Sequence, residues 1–504
     1  MKKRIVLILS LFLLIPMLMG AKNYNYSFYG EVISSTPGMT FQTYFDSRTL
    51  GVSLGRPEDL LVYENNVYII DSLENKLIIV NDKYELVTTK SEFPYADDFL
   101  ERKDKLEVSI TDLEKKTKIL SNKLNTPKGI AVSDGYLYIA DSKNNRVLKL
   151  NENFEIVNII FEEGEPYIED LNFEPSKITV DRSGRIYVVI DGAHEGILEL
   201  DASGKLNRFV GTNTIVLTPF EILRRSLMSE EQKKNLALEL TTSYTNVNIN
   251  EKGFIYATAK PTKNNYKKMI QLINPKGDDV LKRNGYHEPM GDFNFIPTMN
   301  NDTKIVGPSN LVDVAYTKNG IYTVLDQKRS RVFTYDQEGK LLYINGESSV
   351  GTATQNDKLE TPVALDYLGD NLLILDGDQR SNKVIVLSPT EFGTLVNSAI
   401  EQHSNGNFEE ASLIWAEVLK LNTNYEIAYS GIGKSLLRQK KYKEAMKNFR
   451  LGHDSYYYSK AFKSYRNEIL SKYFGLIVFG IVALVATPIV VKNRHKFKRK
   501  GNVK

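Results

Sequence analysis

The sequence predicts a mainly β fold of six repeated antiparallel units, followed by an α-helical hairpin module and one transmembrane helix. Three observations predict it. A motif of proline, strand, polar turn and aspartate-ended strand recurs along residues 56–387, two short helical motifs stand 34 positions apart, and an uncharged run precedes a basic tail. At 504 residues the chain exceeds what one hydrophobic core usually serves, so more than one folded unit is expected.

The first element is a leader. Lys2, Lys3 and Arg4 precede an apolar stretch from Ile5 to Met19 that ends in Gly20 and Ala21, the build of a secretory signal peptide over residues 1–21. Met19 is larger than the residue usual near a cleaved bond, so an uncleaved anchor stays open as the alternative.

The repeats follow. Residues 126–150 (TPKGIAVSDGYLYIADSKNNRVLKL) set the pattern, which returns at 56–80, 307–335 and 361–387 and, degraded, at 174–200 and 247–273. Each copy alternates β-branched and aromatic residues between Asn, Gly and Asp turns, as short antiparallel strands do. In the degraded fourth copy Thr258 stands near the aspartate position.

With its Tyr-hydrophobic-x-Asp step and later Asn and Arg, the stretch from Pro127 to Leu150 resembles the NHL-repeat family, and the resemblance extends over residues 40–390. It implies a six-bladed NHL-type β-propeller of four-stranded blades around a channel. The sixth copy has three strands, so residues 40–45 (TFQTYF) are expected to supply the fourth and close the ring.

Asp71, Asp141, Asp191, Asp326 and Asp376 end second strands, and Lys76, Arg146 and Arg331 stand five positions after three of them. The candidate binding residues are Asp71, Asp141, Arg146, Asp191, Asp326, Arg331 and Asp376, a ring of polar turns on one face. The repetition itself is explained better by each Asp capping its turn and pairing with the nearby base.

Two insertions break the symmetry. Residues 95–121 are charged and predict a surface helix or an outer hairpin; residues 218–240 open on Thr218-Pro219 and continue with helical spacing. Gly51-Val52-Ser53-Leu54-Gly55 has the letters of a nucleophile elbow but leads straight into Arg56-Pro57, so it reads as a flexible loop.

Asn407-Phe408-Glu409-Glu410-Ala411 and Lys441-Tyr442-Lys443-Glu444-Ala445 repeat at the tetratricopeptide period. With Trp415, Phe449 and the small Gly433, they resemble the TPR family, although Thr423 replaces its closing proline. The resemblance implies either a peptide-binding groove or a rigid spacer, capped by a helix over residues 455–472.

Residues 474–491 carry no charge, and at about 1.5 Å per residue they span roughly the hydrocarbon thickness of a bilayer. Tyr473 and seven Lys and Arg in the last 13 residues flank them, as an interfacial aromatic and a positive-inside stop would. The expected domains are the leader, the propeller (22–392), the TPR-like module (393–472), the membrane helix (473–491) and a cytoplasmic tail (492–504). This places the propeller outside the cell membrane and the C-terminus in the cytoplasm.

A formal net charge of +3 becomes −7 once the two basic ends are set aside, which argues against nucleic acid as a partner of the body. Cysteine is absent, excluding disulfides, thiolate metal sites and a cysteine nucleophile. Among the histidines, His194 and His287 alone fall in the propeller region, too few for a multi-histidine zinc site.

The expected function is presentation of a propeller face and helical groove to an extracellular protein, peptide or glycan, without a cofactor. The alternative is a lactonase-like hydrolase, which the architecture resembles. It would hold calcium or another divalent cation in the channel through Glu58, Asp59, Asp313 and Asp366.

Overall fold

The computed structural model describes residues 23–161, 173–190, 196–211, 243–262, 266–293, 307–347, 355–377 and 381–500, with side chains as far as Val491. The signal segment, the 218–240 insertion and the tail's side chains therefore lie outside the described residues. The chain divides into two compact units, Met1–Thr394 and Leu395–Lys504.

In the first unit, six antiparallel sheets each start from an inner strand: Pro57–Tyr63, Pro127–Ser133, Pro175–Val180, Tyr244–Ile249, Leu311–Tyr316 and Pro362–Leu368. Each inner strand packs on the next and the sixth on the first, so the sheets close into a six-bladed β-propeller. Five blades have four strands; the described residues of the fourth blade form three, with Ile273 bridged to Asp279 beyond them.

Closure comes from the N-terminal side, as the sequence predicts. The strand Met39–Asp46 pairs with Lys383–Pro389, from Asp46 opposite Lys383 to Met39 opposite Pro389. Phe45 is buried against Leu60, Ile69 and Val384, so closing the ring also fills the core between the sixth and first blades. Helix α1 (Ser47–Leu50) follows, capped by Asp46 and ended by Gly51 in the left-handed region at φ 69°. Residues 51–55 are thus a connection into the first blade, without the strand-to-helix turn that a nucleophile elbow requires.

One irregularity recurs in all six blades. The register of the inner strand shifts across its first three residues, between Pro57 and Asp59, Pro127 and Gly129, Pro175 and Lys177, Tyr244 and Asn246, Leu311 and Asp313, and Pro362 and Ala364. The shift is a β-bulge, which leaves one residue unpaired and re-aims the next. Gly129 is required here, since a Cβ would stand 2.5 Å from the Ser176 carbonyl oxygen.

The insertion at 95–121 is helical: α2 (Asp97–Ser109) and α3 (Leu113–Ile119). Phe99, Ile110 and Ile119 bury themselves beside Ile70, Ile139 and Leu148 of the first two blades. The second unit holds most of α4 (Glu391–Ser404), then α5 (Phe408–Leu421), α6 (Glu426–Arg438), α7 (Tyr442–Leu451) and α8 (Ser455–Lys500). Helix α6 packs on α5 and α7, and α7 on α8. Gly431 faces Trp415 and Gly433 faces Phe449 so closely that a Cβ on either would come within 2.2 Å and 2.7 Å of those rings. Among the described residues one helix, α8, is long and apolar enough to cross a membrane.

Truncating Phe45 to Ala should remove about 3–5 kcal/mol from the first unit, as large-to-small changes at fully buried aromatics do. Urea unfolding of the full chain measures it. An unchanged midpoint would mean the ring does not depend on its closing strand.

Candidate functional site

The bulges build the channel. The six unpaired residues, Glu58, Lys128, Ser176, Thr245, Val312 and Val363, line a cavity of about 220 Å³ at one end. The residues that follow them are Asp59, Gly129, Lys177, Asn246, Asp313 and Ala364. Asp59, Asn246 and Asp313 line a second cavity of about 310 Å³, with Thr179, Asn248, Tyr316 and Asp366 further along.

Between the cavities lies a cross-channel contact. Lys177 lines the first cavity, and its Nζ reaches Asp59 Oδ1 at 2.6 Å and the Glu58 carbonyl at 2.8 Å. The ammonium thus supplies the positive charge that a buried carboxylate needs. The remaining oxygens are engaged by neighbouring blades. Asp59 Oδ2 accepts from the N–H of Ile130 at 2.9 Å, Asp313 Oδ2 from Leu365 at 2.6 Å and Asp366 Oδ2 from Val62 at 2.7 Å. Asn246 Nδ2 donates to Asp313 Oδ1.

Three of the four residues named for a cation site are therefore blade-to-blade bonds. The fourth, Glu58, faces the other cavity and accepts from Ser72 Oγ and Arg56 Nε, both at 3.0 Å. Among the described residues no three His, Cys, Asp or Glu side chains converge to hold a metal ion. Burial pushes Asp313 up to about 7, opposed by the Lys177 charge and reinforced by Asp59. Burial likewise pushes Asp366 up to about 6, against the N–H groups of Val62 and Tyr367.

The aspartates at second-strand ends lie elsewhere. Asp71, Asp141, Asp326 and Asp376 are all fully buried. Each carboxylate accepts N–H groups from the loop that enters its own blade. These are Gly55 and Arg56 for Asp71, Asn125 for Asp141, Asn310 for Asp326, and Glu360 and Thr361 for Asp376. What this arrangement does chemically is clasp the second strand to the loop ahead of the first.

The predicted base partners separate. Arg146 pairs with Asp141 at 2.8 Å, both side chains fully buried, and also donates to the carbonyls of Ile119, Ser121 and Lys123, tying the helical insertion to the blade. Lys76 instead lies 3.9 Å from Glu74. Arg331 donates to the Gly346 carbonyl and covers the Tyr24 ring, while Arg329 stands 3.6 Å from Asp326. In the sixth blade the residue opposite Asp376 is Lys383.

In the degraded copies the register also corrects the sequence. Opposite Pro175 stands Ile190, while Asp191 is outside the described residues. In the fourth blade Ala259 holds the aspartate position, and Thr258 instead bonds Thr245 at 2.7 Å.

Sequence reasoning missed a buried network on the fifth blade. Strands Tyr24–Tyr26 and Val32–Ser34 form a hairpin whose Tyr24 and Tyr26 hydroxyls both donate to Asp292. Ser309 Oγ accepts the Asp292 N–H and donates to Asp326 at 2.6 Å. His287 stacks on Tyr26 at 4.0 Å, a packing role. His194 is outside the described residues.

Residues 124–150 match the NHL repeat, the segment that holds the Asp141–Arg146 pair. Among solved structures, virginiamycin B lyase from Staphylococcus aureus is 11% identical, aligned over 69% of this chain and 99% of that one with a TM-score of 0.37. A protein of unknown function from Bacteroides thetaiotaomicron VPI-5482 is 10% identical over 71% of this chain and 80% of that one, with a TM-score of 0.40. A chain of the nidogen/laminin complex is 14% identical over 51% and 74%, with a TM-score of 0.31. No curated protein matches the chain.

Two outcomes test this site. Arg146→Ala strands a buried Asp141 carboxylate and the Ile119 and Ser121 carbonyls, so it should lower unfolding stability by about 3–5 kcal/mol, whereas an effect below 1 kcal/mol would show the clasp to be dispensable. The pH dependence has a defined sign. Asp313, Asp366 and Asp376 titrate in the folded chain at about 7, 6 and 6 against an ordinary 3.8, so the native state holds protons that the unfolded chain releases. Their contribution is full below the unfolded value and is lost as pH rises through 6 and 7. Thermal melts between pH 5 and 8 should show this fall, and Asp313→Asn should flatten its upper part.

Proposed function

We propose that this chain is a membrane-anchored extracytoplasmic binding or scaffolding protein that presents its propeller face and a TPR-like groove to a protein, peptide or glycan. The observation that carries this reading is the engagement of the channel carboxylates. Asp59, Asp313 and Asp366 are bonded across blades, and Lys177 Nζ stands 2.6 Å from Asp59. A divalent cation needs several oxygens free to converge, and the engagement of these carboxylates with Lys177 and backbone N–H groups weighs toward binding rather than a lactonase-like reaction. Binding needs no such cation.

The TPR-like reading draws support from the 34-residue period and the glycines that let α6 approach Trp415 and Phe449. The anchoring reading draws support from α8, whose apolar part is fully exposed within the chain. Orientation follows from the basic-apolar leader and the basic tail: propeller outside, a single pass of the cell membrane, and residues 492–504 in the cytoplasm.

The test uses the full-length chain. Purified in detergent, it should carry no stoichiometric metal, gain no thermal stability from calcium, and turn over no lactone, while cross-linking in native membranes captures a discrete protein or glycan. Bound metal together with lactone turnover would overturn the reading in favour of the hydrolase.

A further inference from the structure

The second unit carries an exposed concentration of positive charge. Residues 438–472 contain ten Lys and Arg against three Asp and Glu. Those ten, Arg438, Lys440, Lys441, Lys443, Lys447, Arg450, Lys460, Lys463, Arg466 and Lys472, are all exposed.

Their placement is what matters. Helices α7 and α8 run antiparallel, because Phe449 stacks on Tyr457, Arg450 lies over Tyr458 and Lys443 over Tyr465. Going backward along α7 therefore means going forward along α8. The turn between α6 and α7, with Arg438, Lys440 and Lys441, is thereby carried to the level of the last turns of α8 before the uncharged run begins at Phe474. Tyr465 is nine residues before Phe474, about 14 Å along the axis, and Lys441 and Lys440, two and three residues before Lys443, lie about 3–5 Å closer, roughly 9–11 Å from that point. A charged membrane surface acts over about 8–10 Å at physiological ionic strength, so this turn lies about one such length away.

We infer that the α6–α7 turn, Arg438, Lys440 and Lys441, together with Lys472 of α8, docks on anionic phospholipid headgroups of the bilayer that α8 spans. The inference rests on the anchoring reading above. The occupant is specified by continuity: α8 is one unbroken helix from Ser455, so the surface at its waist is the bilayer it enters. Exposed Tyr473 and Phe474 mark that waist, as interfacial aromatics do. Held there, the turn would set the tilt of α8 and keep the second unit from swinging freely about a single helix.

The chain has no cysteine, which makes a single reporter clean. Full-length Gln439→Cys, carrying a fluorophore and reconstituted in nanodiscs, is read by quenching from lipids labelled near the headgroup. Quenching is expected in phosphatidylglycerol, but weakly in phosphatidylcholine or molar salt. Each cation near an anionic surface favours docking about five-fold, so R438Q/K440Q/K441Q should lower the docked-to-free ratio by roughly two orders of magnitude. Equal quenching in both lipids, or an unchanged variant, overturns the docking while leaving the anchor intact. A soluble polyanion that protects the fluorophore where phosphatidylglycerol does not quench it would assign the surface to that polymer and overturn it too. Failure of the chain to co-purify with nanodiscs overturns the anchor, and the docking with it.

Discussion

Everything at the axis of this propeller depends on one constraint: six inner strands must converge, and each does so through a bulge immediately after its first residue. The proline at that first residue in four blades fits, because its ring sits best at a strand's start or beside a bulge. In the first, third, fourth and fifth blades the bulge turns two successive side chains toward the channel, so that unpaired residues line one end and the residues after them lie behind. Without it, the alternation of a regular strand would send one of the two to the opposite face. The channel's polarity is thus a product of backbone geometry, and the residues at these positions then divide it into two cavities.

A second device holds four of the blades to the loops that lead into them. The buried carboxylate at a second-strand end binds N–H groups about sixteen residues earlier, so the loop entering a blade cannot lift without exposing a charge deprived of its donors. At the second blade Arg146 extends the clasp to three carbonyls around α3, which explains how a charged insertion stays packed on the ring. At the fifth blade the clasp extends through Ser309 and Asp292 to Tyr24 and Tyr26, fixing the first described strand of the chain.

Much of this was legible because it repeats. Alternating apolar residues recur six times and the strand-ending aspartate five times, and the missing outer strand of the sixth copy located the closing strand at 40–45. What was illegible was register. A bulge has no residue signature of its own, so the facing of Asp59 and Lys177 could not be read, nor that Ile190 stands opposite Pro175 and Ala259 opposite Tyr244. In the sixth blade the base opposite Asp376 is Lys383, seven positions on, outside the five-residue spacing seen after Asp71, Asp141 and Asp326. Asp292 belongs to no repeat, and its tyrosine partners lie some 268 residues away in sequence, so no local pattern pointed to them.

Lys177 decides how the channel should be understood. A carboxylate ring without an internal cation would be a site waiting for one, since buried acids in apolar surroundings either protonate or recruit positive charge. Here the third blade supplies that charge covalently, and the raised acid, Asp313, holds a proton more readily than an exposed aspartate does. Both routes to neutrality are internal to the fold. The axis is consequently a hub whose donors and acceptors join blade to blade.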